Sequence, residues 1–178
     1  MDDLKIAIAG VGTVGNGVLI LLKKNRKKIE KKIGRKIKIT AIASRKSRDF
    51  KGLKKTKIFS DANSFLNFSD YDLLLELIGG SDGVAKKIII DALKKKKHVI
   101  TANKALLSKH GNYILKLADS QNVLVGYEAS VAGGIPIITV INNFLVSNTI
   151  KKISGILNGT SNYILSKMLE TKKDFKTI

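Results

Sequence analysis

The 178-residue sequence predicts an α/β fold with a doubly wound parallel sheet, and three observations support this prediction. Apolar runs of strand length alternate along the chain with segments of helical periodicity. The first run leads directly into Gly10–Gly15, a G-x-G-x-x-G turn between a predicted strand and a predicted helix. A later run, Leu73–Ile78, is almost continuously apolar, as is typical of a parallel strand covered on both faces. Together these features predict a Rossmann-type sheet.

The remaining elements are predicted from the same patterns. The expected strands, in chain order, are Leu4–Ala9, Ile37–Ala43, Lys57–Ser60, Leu73–Ile78, His98–Thr101 and Val123–Tyr127. We expect Asp61 to cap a short helix, and either Ser81 or Asp82 to cap the helix that follows the fourth strand. Further helices are expected at Ala105–Asp119 and at Ile135–Phe144, with Pro136 in the first turn of the latter.

The pattern changes after about residue 148, so two domains are expected. Residues 1–147 form the Rossmann-type domain, and residues 148–178 begin a second, incomplete α+β domain. Its first strand is expected at Ile150–Leu157, and Asn158–Ser161 leads into a helix. These last residues are too few to bury a core of their own. They must pack on the first domain, pair with a second copy, or belong to a larger domain.

The charge of the chain raises the question of a nucleic-acid partner. The formal net charge is +19, from 33 Lys and Arg residues against 14 Asp and Glu residues, and basic domains attract phosphates. Only four of these residues are arginines, namely Arg26, Arg35, Arg45 and Arg48. Arginine is the usual residue for reading bases and for gripping phosphates. The cluster Lys23–Lys38 is expected to begin near the end of the first helix and Lys94–Lys97 to close another, where cations complement the helix dipole. We therefore expect no specific nucleic-acid partner.

Other classes are excluded by what the sequence lacks. It contains no cysteine, which excludes disulfides, thiolate metal sites and cysteine nucleophiles. The two histidines, His98 and His110, lack the spacing of metal ligands, and we expect both to be structural. No apolar run is long enough to span a membrane, and the start of the chain lacks a signal-peptide pattern. A cytoplasmic protein without a membrane partner is therefore expected.

The glycine turn predicts a dinucleotide-binding site. Gly10 allows a sharp turn out of the strand, Gly12 lets the backbone approach a pyrophosphate, and Gly15 lets the helix pack closely on the sheet. The helix N-terminus offers unpaired N–H groups and the positive end of its dipole to the phosphates. The alternative is a glycine-rich turn between a strand and a helix that binds no ligand.

The end of the second strand indicates which dinucleotide would bind. An NAD-binding unit usually places Asp or Glu there to hold the ribose 2′-hydroxyl. Here the strand ends in Ser44, Arg45 and Lys46, and a guanidinium and an ammonium group suit the 2′-phosphate of NADP. We therefore expect NADP as the cofactor, with NAD as the alternative if Arg45 and Lys46 only belong to the basic background.

Two later segments are expected at the ligand edge of the sheet because each follows a predicted strand. Lys104, at the end of Thr101–Lys104, can contact the nicotinamide side and pass a proton to a carbonyl oxygen as hydride moves. The alternative is a solvated side chain. The loop Glu128–Pro136 offers backbone carbonyls that, with Glu128, can line a cation site. The alternative there is a plain glycine-rich loop.

Taken together, these residues resemble the homoserine dehydrogenase family. The resemblance rests on five segments in the family's order and spacing, namely Gly10–Gly15, Glu76–Gly80, Thr101–Lys104, Glu128–Pro136 and Gly155–Tyr163. They cover nearly the whole chain, and the second, third and last are specific to the family. The resemblance implies reversible oxidation of L-homoserine to L-aspartate 4-semialdehyde with NAD(P), the branch step toward threonine and methionine.

The resemblance also implies roles for individual residues. Lys104 resembles the family's catalytic lysine near the nicotinamide, and Arg45 matches a position where NADP-preferring relatives place an arginine. Gly159 and Thr160 resemble contacts to the substrate. The expected dinucleotide-binding set is Gly10, Val11, Gly12, Thr13, Val14, Gly15, Arg45, Lys46, Ile78, Gly79 and Lys104. The implied monovalent cation site, usually assigned to sodium, is Glu128 with the backbone carbonyls of Val131, Gly133 and Ile135.

One departure from the family pattern limits these expectations. In the family, a second lysine and the carboxylates that bind the substrate's amino group lie beyond the Asn-Gly-Thr helix, whereas this sequence ends at Ile178. We therefore expect the chain to bind NADP(H) but to have little or no dehydrogenase activity alone. A homodimer is implied where the catalytic and dimerisation domain is complete. The alternatives are another NAD(P)-dependent semialdehyde oxidoreductase and a nucleotide-binding or regulatory module without catalysis.

Overall fold

The structure is a computed structural model that describes residues 2–45, 53, 55–156 and 158–178. The strands within these residues are β1 (Leu4–Ala9), β2 (Ile37–Ala43), β3 (Lys57–Phe59), β4 (Leu73–Glu76), β5 (His98–Thr101) and β6 (Val125–Gly126). In this part of the chain they form one six-stranded parallel sheet in the order β3-β2-β1-β4-β5-β6. From β1 the next strands, β2 and β3, are added on one side, and β4, β5 and β6 are added on the other, so the strand order reverses between β1 and β4. Ligands bind at such a switch point in folds of this kind. The predicted doubly wound, Rossmann-type sheet is confirmed.

The helices connect these strands as a doubly wound fold requires. They are α1 (Thr13–Ile33), α2 (Val84–Lys94), α3 (Lys104–Ser120), α4 (Ile137–Thr139) and α5 (Gly159–Thr171). Short 3₁₀ turns occupy Ala62–Asn67, which Asp61 caps as predicted, and Glu128–Ser130, while a π-helical turn, Val140–Phe144, directly follows α4. The helix predicted at Ile135–Phe144 therefore begins only after Pro136.

The first helix is longer than the sequence suggested. It continues to Ile33 and ends at Gly34, which adopts a φ of +69° and donates its N–H to the carbonyl oxygen of Glu30. Left-handed glycine is the common helix terminator because it has no Cβ to oppose that conformation. The basic cluster that starts at Lys23 consequently occupies the second half of α1. The expectation that it begins near the helix end was wrong.

The side chains of each strand alternate between two cores on opposite faces of the sheet. Ile6 and Ile8 of β1 belong to one core, which includes residues of α1. Ala7 and Ala9 belong to the other core, which includes residues of α2 and α3. All four side chains are at most 4% exposed. Helices therefore cover both faces, and the carboxyl edge of the sheet is where the loops meet.

The predicted strands Leu73–Ile78 and Val123–Tyr127 are shorter in the structure because other groups take their backbone hydrogen bonds. The strand expected at Leu73–Ile78 stops at Glu76, whose own carboxylate accepts the N–H groups of Ile78 and Gly79. The strand expected from Val123 begins only at Val125, since the N–H of Val123 donates to Ala118 at the end of α3. Strand propensity alone does not reveal such competing acceptors.

The start of α2 also differs from the expectation. Gly83, with a φ of +77°, occupies the N-cap position, and within the described residues no side chain caps this helix. Asp82 turns away to hydrogen-bond Lys109 and His110 on α3, and Ser81 donates to Asp82. The predicted cap by Ser81 or Asp82 is therefore wrong, because two basic groups on a neighbouring helix compete for the carboxylate.

The chain divides into two compact units, Met1–Ile138 and Thr139–Ile178. In the second unit the Asn158 side chain caps α5 by accepting the N–H of Ser161 at 2.8 Å. The strand predicted at Ile150–Leu157 is absent from the described residues 150–156, and Leu157 lies outside the described part. A strand needs a neighbour for its N–H and C=O groups, and the described residues of this unit contain no other strand.

Among the described residues, no helix is both long and apolar enough to cross a lipid bilayer.

Candidate nucleotide-binding site

The glycine turn lies at the switch point between β1 and β4, and backbone atoms approach it closely on two sides. Gly10 has a φ of +98°, and a Cβ there would lie 2.6 Å from the carbonyl oxygen of Leu77. Its N–H donates to the carbonyl oxygen of Ala43 at 3.0 Å, which ties the turn to the end of β2. A Cβ on Gly15 would lie 2.1 Å from the carbonyl oxygen of Gly10. Both positions therefore require glycine for reasons inside the protein.

Gly12 differs from these two glycines. Among the described residues, no atom would lie within 4 Å of a Cβ at this position, and the φ of −77° suits any residue. It forms the N-cap of α1, and no side chain of the described part caps this helix end. The first N–H groups of α1 therefore have no side-chain acceptor within the described residues, which is the arrangement that binds phosphate.

The side chains around this turn divide into buried and exposed groups. Thr13 and Val14 are exposed at the start of α1, with Val14 55% accessible. Val11 is only 5% exposed and packs in the core beside α1. A ligand at this turn could therefore reach only the backbone of Val11, whereas it could also reach the side chains of Thr13 and Val14.

The end of β2 lies next to the glycine turn. Ala43 pairs in register with Ala9, and the N–H of Ser44 donates to the carbonyl oxygen of Phe59 at 2.9 Å. Arg45 follows directly and is exposed. Lys46, the second residue expected to contact the nucleotide here, lies outside the described residues. Arg45 is thus placed at the carboxyl edge, two residues beyond the end of the strand.

The other side of the switch point is organised by Glu76, which is completely buried at the end of β4. Its Oε1 atom accepts the N–H groups of Ile78 at 2.8 Å and Gly79 at 3.2 Å. Gly79 and Gly80 both adopt left-handed φ values, +89° and +87°. The carboxylate therefore folds the loop Ile78–Gly80 back over the end of its own strand.

A second set of bonds links this loop to the start of α3. The Thr101 hydroxyl donates to Oε2 of Glu76 at 2.6 Å and accepts the N–H of Asn103 at 3.0 Å. The Asn103 side chain caps α3 by accepting the N–H of Leu106, and its amide donates to the carbonyl oxygen of Gly80 at 2.8 Å. Lys104, the predicted catalytic residue, is the exposed first residue of α3.

Sequence reasoning assigned no role to four buried polar residues of this edge, Glu76, Thr101, Asn103 and Ser130. Ser130 donates to the carbonyl oxygen of Thr101 at 2.6 Å and so ties the loop after β6 to the end of β5. The available signal was the single acid in the apolar run Leu73–Ile78, since an unpaired buried carboxylate is strongly disfavoured.

The candidate cation site lies in the segment after β6. Glu128 begins a 3₁₀ turn, and its Oε1 atom accepts the N–H of Ile138 at 2.9 Å. The residues Val131, Gly133 and Ile135 follow on an exposed loop. One carboxylate together with backbone carbonyls is a set of hard oxygen donors with a single negative charge, which fits a hard monovalent cation.

The histidines are not arranged as metal ligands. His98 accepts the N–H of Leu124 at its Nδ1 atom, at 3.0 Å, and His110 contacts Asp82 at 2.8 Å. In the part of the chain that the structure describes, no three His, Cys, Asp or Glu residues form a group that could hold a metal ion. The last two predicted site residues, Gly159 and Thr160, open α5 in the second unit.

Comparison with known proteins identifies the family. Residues 10–128 match the family model described as homoserine dehydrogenase, NAD binding domain, and residues 136–178 match the model described as homoserine dehydrogenase. The Neisseria gonorrhoeae homoserine dehydrogenase is 41% identical over 179 residues, which cover all of this chain and 41% of that protein. The corresponding enzyme from Bacillus subtilis is 34% identical over 183 residues, with the same coverage.

Solved structures agree with the sequence comparison. A homoserine dehydrogenase from Thiobacillus denitrificans superposes with a TM-score of 0.87 at 36% identity, over 99% of this chain and 41% of that one. A putative homoserine dehydrogenase from Archaeoglobus fulgidus gives a TM-score of 0.82 at 35% identity, over 98% and 57%. The chain thus spans about 41% of the length of the sequence relatives named above. Because the NAD-binding family model matches more than half of its residues, this chain belongs to the homoserine dehydrogenase family and carries the family's domain for a nicotinamide cofactor.

Proposed function

We propose that this chain supplies the nucleotide-binding part of an enzyme that interconverts L-homoserine and L-aspartate 4-semialdehyde. The main support for this proposal is that the three glycines of the turn have different surroundings. Gly10 and Gly15 are required by contacts inside the protein, whereas the space beside Gly12 is open. An open backbone position at a helix N-terminus, at the switch point of a parallel sheet, is where a pyrophosphate binds.

The proposed cofactor is NADP(H), and Arg45 is the proposed selector. Arg45 is exposed just beyond β2, where nucleotide-binding folds of this kind hold the adenosine ribose. A guanidinium group forms paired hydrogen bonds with a phosphate, and a carboxylate at that position would repel it. Among the described residues 44 and 45, which directly follow the strand, there is no carboxylate.

Lys104 is the proposed catalytic residue. The bound nicotinamide would supply or accept the hydride, and Lys104 would hold a proton at the substrate oxygen that changes between hydroxyl and carbonyl. Its position supports this role, since it starts α3 at the carboxyl end of β5, beside the loop Ile78–Gly80. Ile78 and Gly79 are proposed to line the nicotinamide half of the cofactor.

The remaining assignments are proposals about the whole enzyme. Glu128 and the carbonyls of Val131, Gly133 and Ile135 would hold a monovalent cation, taken to be sodium. Gly159 and Thr160 would contact the substrate, and the domains would divide at residues 147 and 148. We further propose a cytoplasmic homodimer without a specific nucleic-acid partner, as a biosynthetic dehydrogenase of this family requires only its small-molecule ligands.

A fluorescence titration of the chain with NADPH and with NADH tests the nucleotide assignment. Micromolar binding of NADPH, tighter than that of NADH, is expected. Arg45→Asp should weaken NADPH by about tenfold or more, because it removes a charged phosphate contact, and should leave NADH little changed. Lys36→Asp is the matched control, because it makes the same charge change before the opposite end of β2. Absence of NADPH binding, or equal loss in both variants, contradicts the proposal.

The dehydrogenase assignment needs the whole enzyme. A chimera that joins this chain to the C-terminal part of the Thiobacillus denitrificans relative should reduce NADP⁺ in the presence of homoserine. In that chimera Lys104→Ala should lower kcat by about a hundredfold or more, as expected for loss of a group that transfers a proton, while NADPH affinity falls less. A folded chimera that binds NADPH without oxidising homoserine would instead favour a nucleotide-binding module.

A further inference from the structure

We infer that Glu76 is a positioning residue: its buried carboxylate fixes the loop Ile78–Gly80 and, through Thr101, the start of α3 that carries Lys104. The inference deepens the proposed function, on which it rests, by naming what holds the nicotinamide side of the site together. Glu76 itself is fully buried beneath the edge, so it is proposed to act on the cofactor and the substrate only through these two segments.

Both oxygens of Glu76 are used by neutral donors. Oε1 accepts the two backbone N–H groups of the loop, and Oε2 accepts the Thr101 hydroxyl. In the described part of the chain no cationic side chain pairs with this carboxylate. Burying a carboxylate without a counter-charge is strongly unfavourable unless hydrogen bonds replace its hydration. An apolar residue would fill this core position at lower cost, so the carboxylate is explained by the bonds that it makes.

The loop needs such an anchor because its own conformational preferences are weak. Gly79 and Gly80 lie in succession with left-handed φ values, and glycine populates many backbone conformations. Two adjacent N–H groups that converge on one oxygen restrict this freedom. The position of the loop is therefore set by Glu76 and by the bond from Asn103 to Gly80.

Thr101 extends the same constraint to the neighbouring strand. It pairs in register with Glu76, so its side chain lies beside that of Glu76 on the face of the sheet covered by α2 and α3. Its hydroxyl donates to Glu76 and accepts from Asn103, and Asn103 both caps α3 and donates to Gly80. These bonds form a closed ring from Glu76 through Thr101, Asn103 and Gly80 back to Gly79. A shift at Glu76 is consequently transmitted to Lys104 as well as to the loop.

Glu76→Gln tests the inference with little change in volume. The amide oxygen can still accept from the loop, but the amide nitrogen then faces Thr101, so the bond to Thr101 must reverse its direction and loses the strength that the charged carboxylate gave it. We expect NADPH to bind about tenfold more weakly, whereas adenosine 2′,5′-bisphosphate, which has no nicotinamide half, binds as before. Thr101→Val should have the same effect, Thr101→Ser should preserve binding, and the Glu76→Gln/Thr101→Val pair should be no weaker than either single variant.

Asp72→Asn is the matched control at the other end of β4, where Asp72 accepts the N–H of Lys5 at 2.9 Å. It should leave the affinities for both ligands unchanged. Equal weakening of NADPH and adenosine 2′,5′-bisphosphate by Glu76→Gln would assign Glu76 a merely structural role and overturn the inference. If Glu76→Gln does not fold, the affinities of Thr101→Val and Thr101→Ser for NADPH and adenosine 2′,5′-bisphosphate decide instead. Only Thr101→Val should then weaken NADPH, and neither variant should weaken the bisphosphate.

A measurement without nucleotide separates this inference from the proposed function. In amide NMR spectra of the free chain, Glu76→Gln should shift the signals of Ile78 and Gly79 and also those of Asn103 and Lys104. Shifts confined to the loop would overturn the coupling to α3 even if NADPH binds. If the wild-type chain binds no NADPH, the proposed function fails, while the NMR comparison still decides whether Glu76 positions both segments.

Discussion

A Cβ atom on Gly15 would lie 2.1 Å from the carbonyl oxygen of Gly10, closer than two such atoms can approach. The first turn of α1 therefore rests directly on the turn that leaves β1. Gly10 is itself fixed by its N–H bond to Ala43 and by its close approach to Leu77. The geometry of the nucleotide turn is consequently set by backbone packing rather than by side chains.

Gly15→Ala should displace α1 from this turn and abolish NADPH binding. Overpacking of this kind typically costs about 1–3 kcal/mol, so the free energy of unfolding in urea should fall by a similar amount. Gly17→Ala, two residues later in α1, meets no described atom within 4 Å and provides the control. It should stabilise the chain by about 0.5–1 kcal/mol through helix propensity. Unimpaired NADPH binding by Gly15→Ala would contradict the packing argument.

Gly12→Ala should separate binding from stability. The new methyl group meets no described protein atom and the backbone is extended, so the free energy of unfolding in urea should fall by no more than about 1 kcal/mol, the preference for glycine over alanine at an N-cap. The same methyl group would occupy the space through which a pyrophosphate approaches the backbone. NADPH affinity, measured by fluorescence, should therefore fall by at least about tenfold. Retained affinity would mean that the turn has no ligand.

The sheet could be predicted because its signals are local. Apolar runs, and the glycines at the exit from Leu4–Ala9, specify strands and their crossovers from sequence neighbours alone. The candidate nucleotide turn is local in the same sense. Glu76 and Thr101 are 25 residues apart, and they meet only because β4 and β5 pair in one register. No periodicity reveals that contact, so the buried polar residues of the edge were missed.

The strand predicted in the second unit is absent from its described residues for a related reason. Ile150–Leu157 has the composition of a strand, but strand formation depends on a partner rather than on composition. Ile153 and Ile156 are 68% and 73% exposed in this chain. By contrast, the helix predicted after Asn158 is present, and its start is fixed locally because Asn158 accepts the N–H of Ser161, three residues away. Local signals are thus reliable only where no distant group competes for them, and the cap expected from Asp82 failed because Lys109 and His110 bind that carboxylate.

Asp82 should make stability depend on acid pH. Its hydrogen bonds from Lys109, His110 and Ser81 hold the pKa of this carboxyl far below its usual range, with Lys109 the largest cause. A carboxyl whose pKa is lower in the folded state stabilises the fold above its unfolded pKa of about 3.9, and this contribution is lost as the pH falls further. The difference in unfolding free energy between wild type and Asp82→Asn should therefore be constant above about pH 5 and shrink below about pH 4.

Lys109→Gln provides the check on the cause of that effect. Without the lysine the pKa of Asp82 returns toward its usual value, so the acid-dependent part of the stability should become smaller. This acid-dependent stability is measured by urea unfolding of wild type, Asp82→Asn and Lys109→Gln at a series of pH values. An Asp82→Asn difference that is the same at pH 2 and pH 7 would contradict the assignment.

Tyr71 predicts a pH dependence at the basic end. Its ring is 1% exposed and stacks on Phe68 with a centroid separation of 6.0 Å, and within the described residues its hydroxyl has no hydrogen-bond partner. Burial, with a smaller contribution from Asp91, raises its pKa to about 12. The unfolded chain loses this proton near pH 10, so the folded state loses stability as the pH rises from about 10 toward 12.

Tyr71→Phe keeps the stacked ring and removes both the unpaired hydroxyl and its titration. At pH 7 the variant should be as stable as wild type or up to about 1 kcal/mol more stable, since an unsatisfied buried donor is costly. Near pH 12 its advantage should grow by about 2 kcal/mol, which corresponds to the pKa difference between the two states. Tyr113→Phe, at a 52% exposed position on α3, is the control and should reproduce the wild-type pH profile. A Tyr71→Phe protein that is less stable than wild type at pH 7 would contradict this, because it would mean that the hydroxyl makes a hydrogen bond. Removing a hydroxyl that is hydrogen-bonded destabilises the fold, whereas removing one without a partner does not.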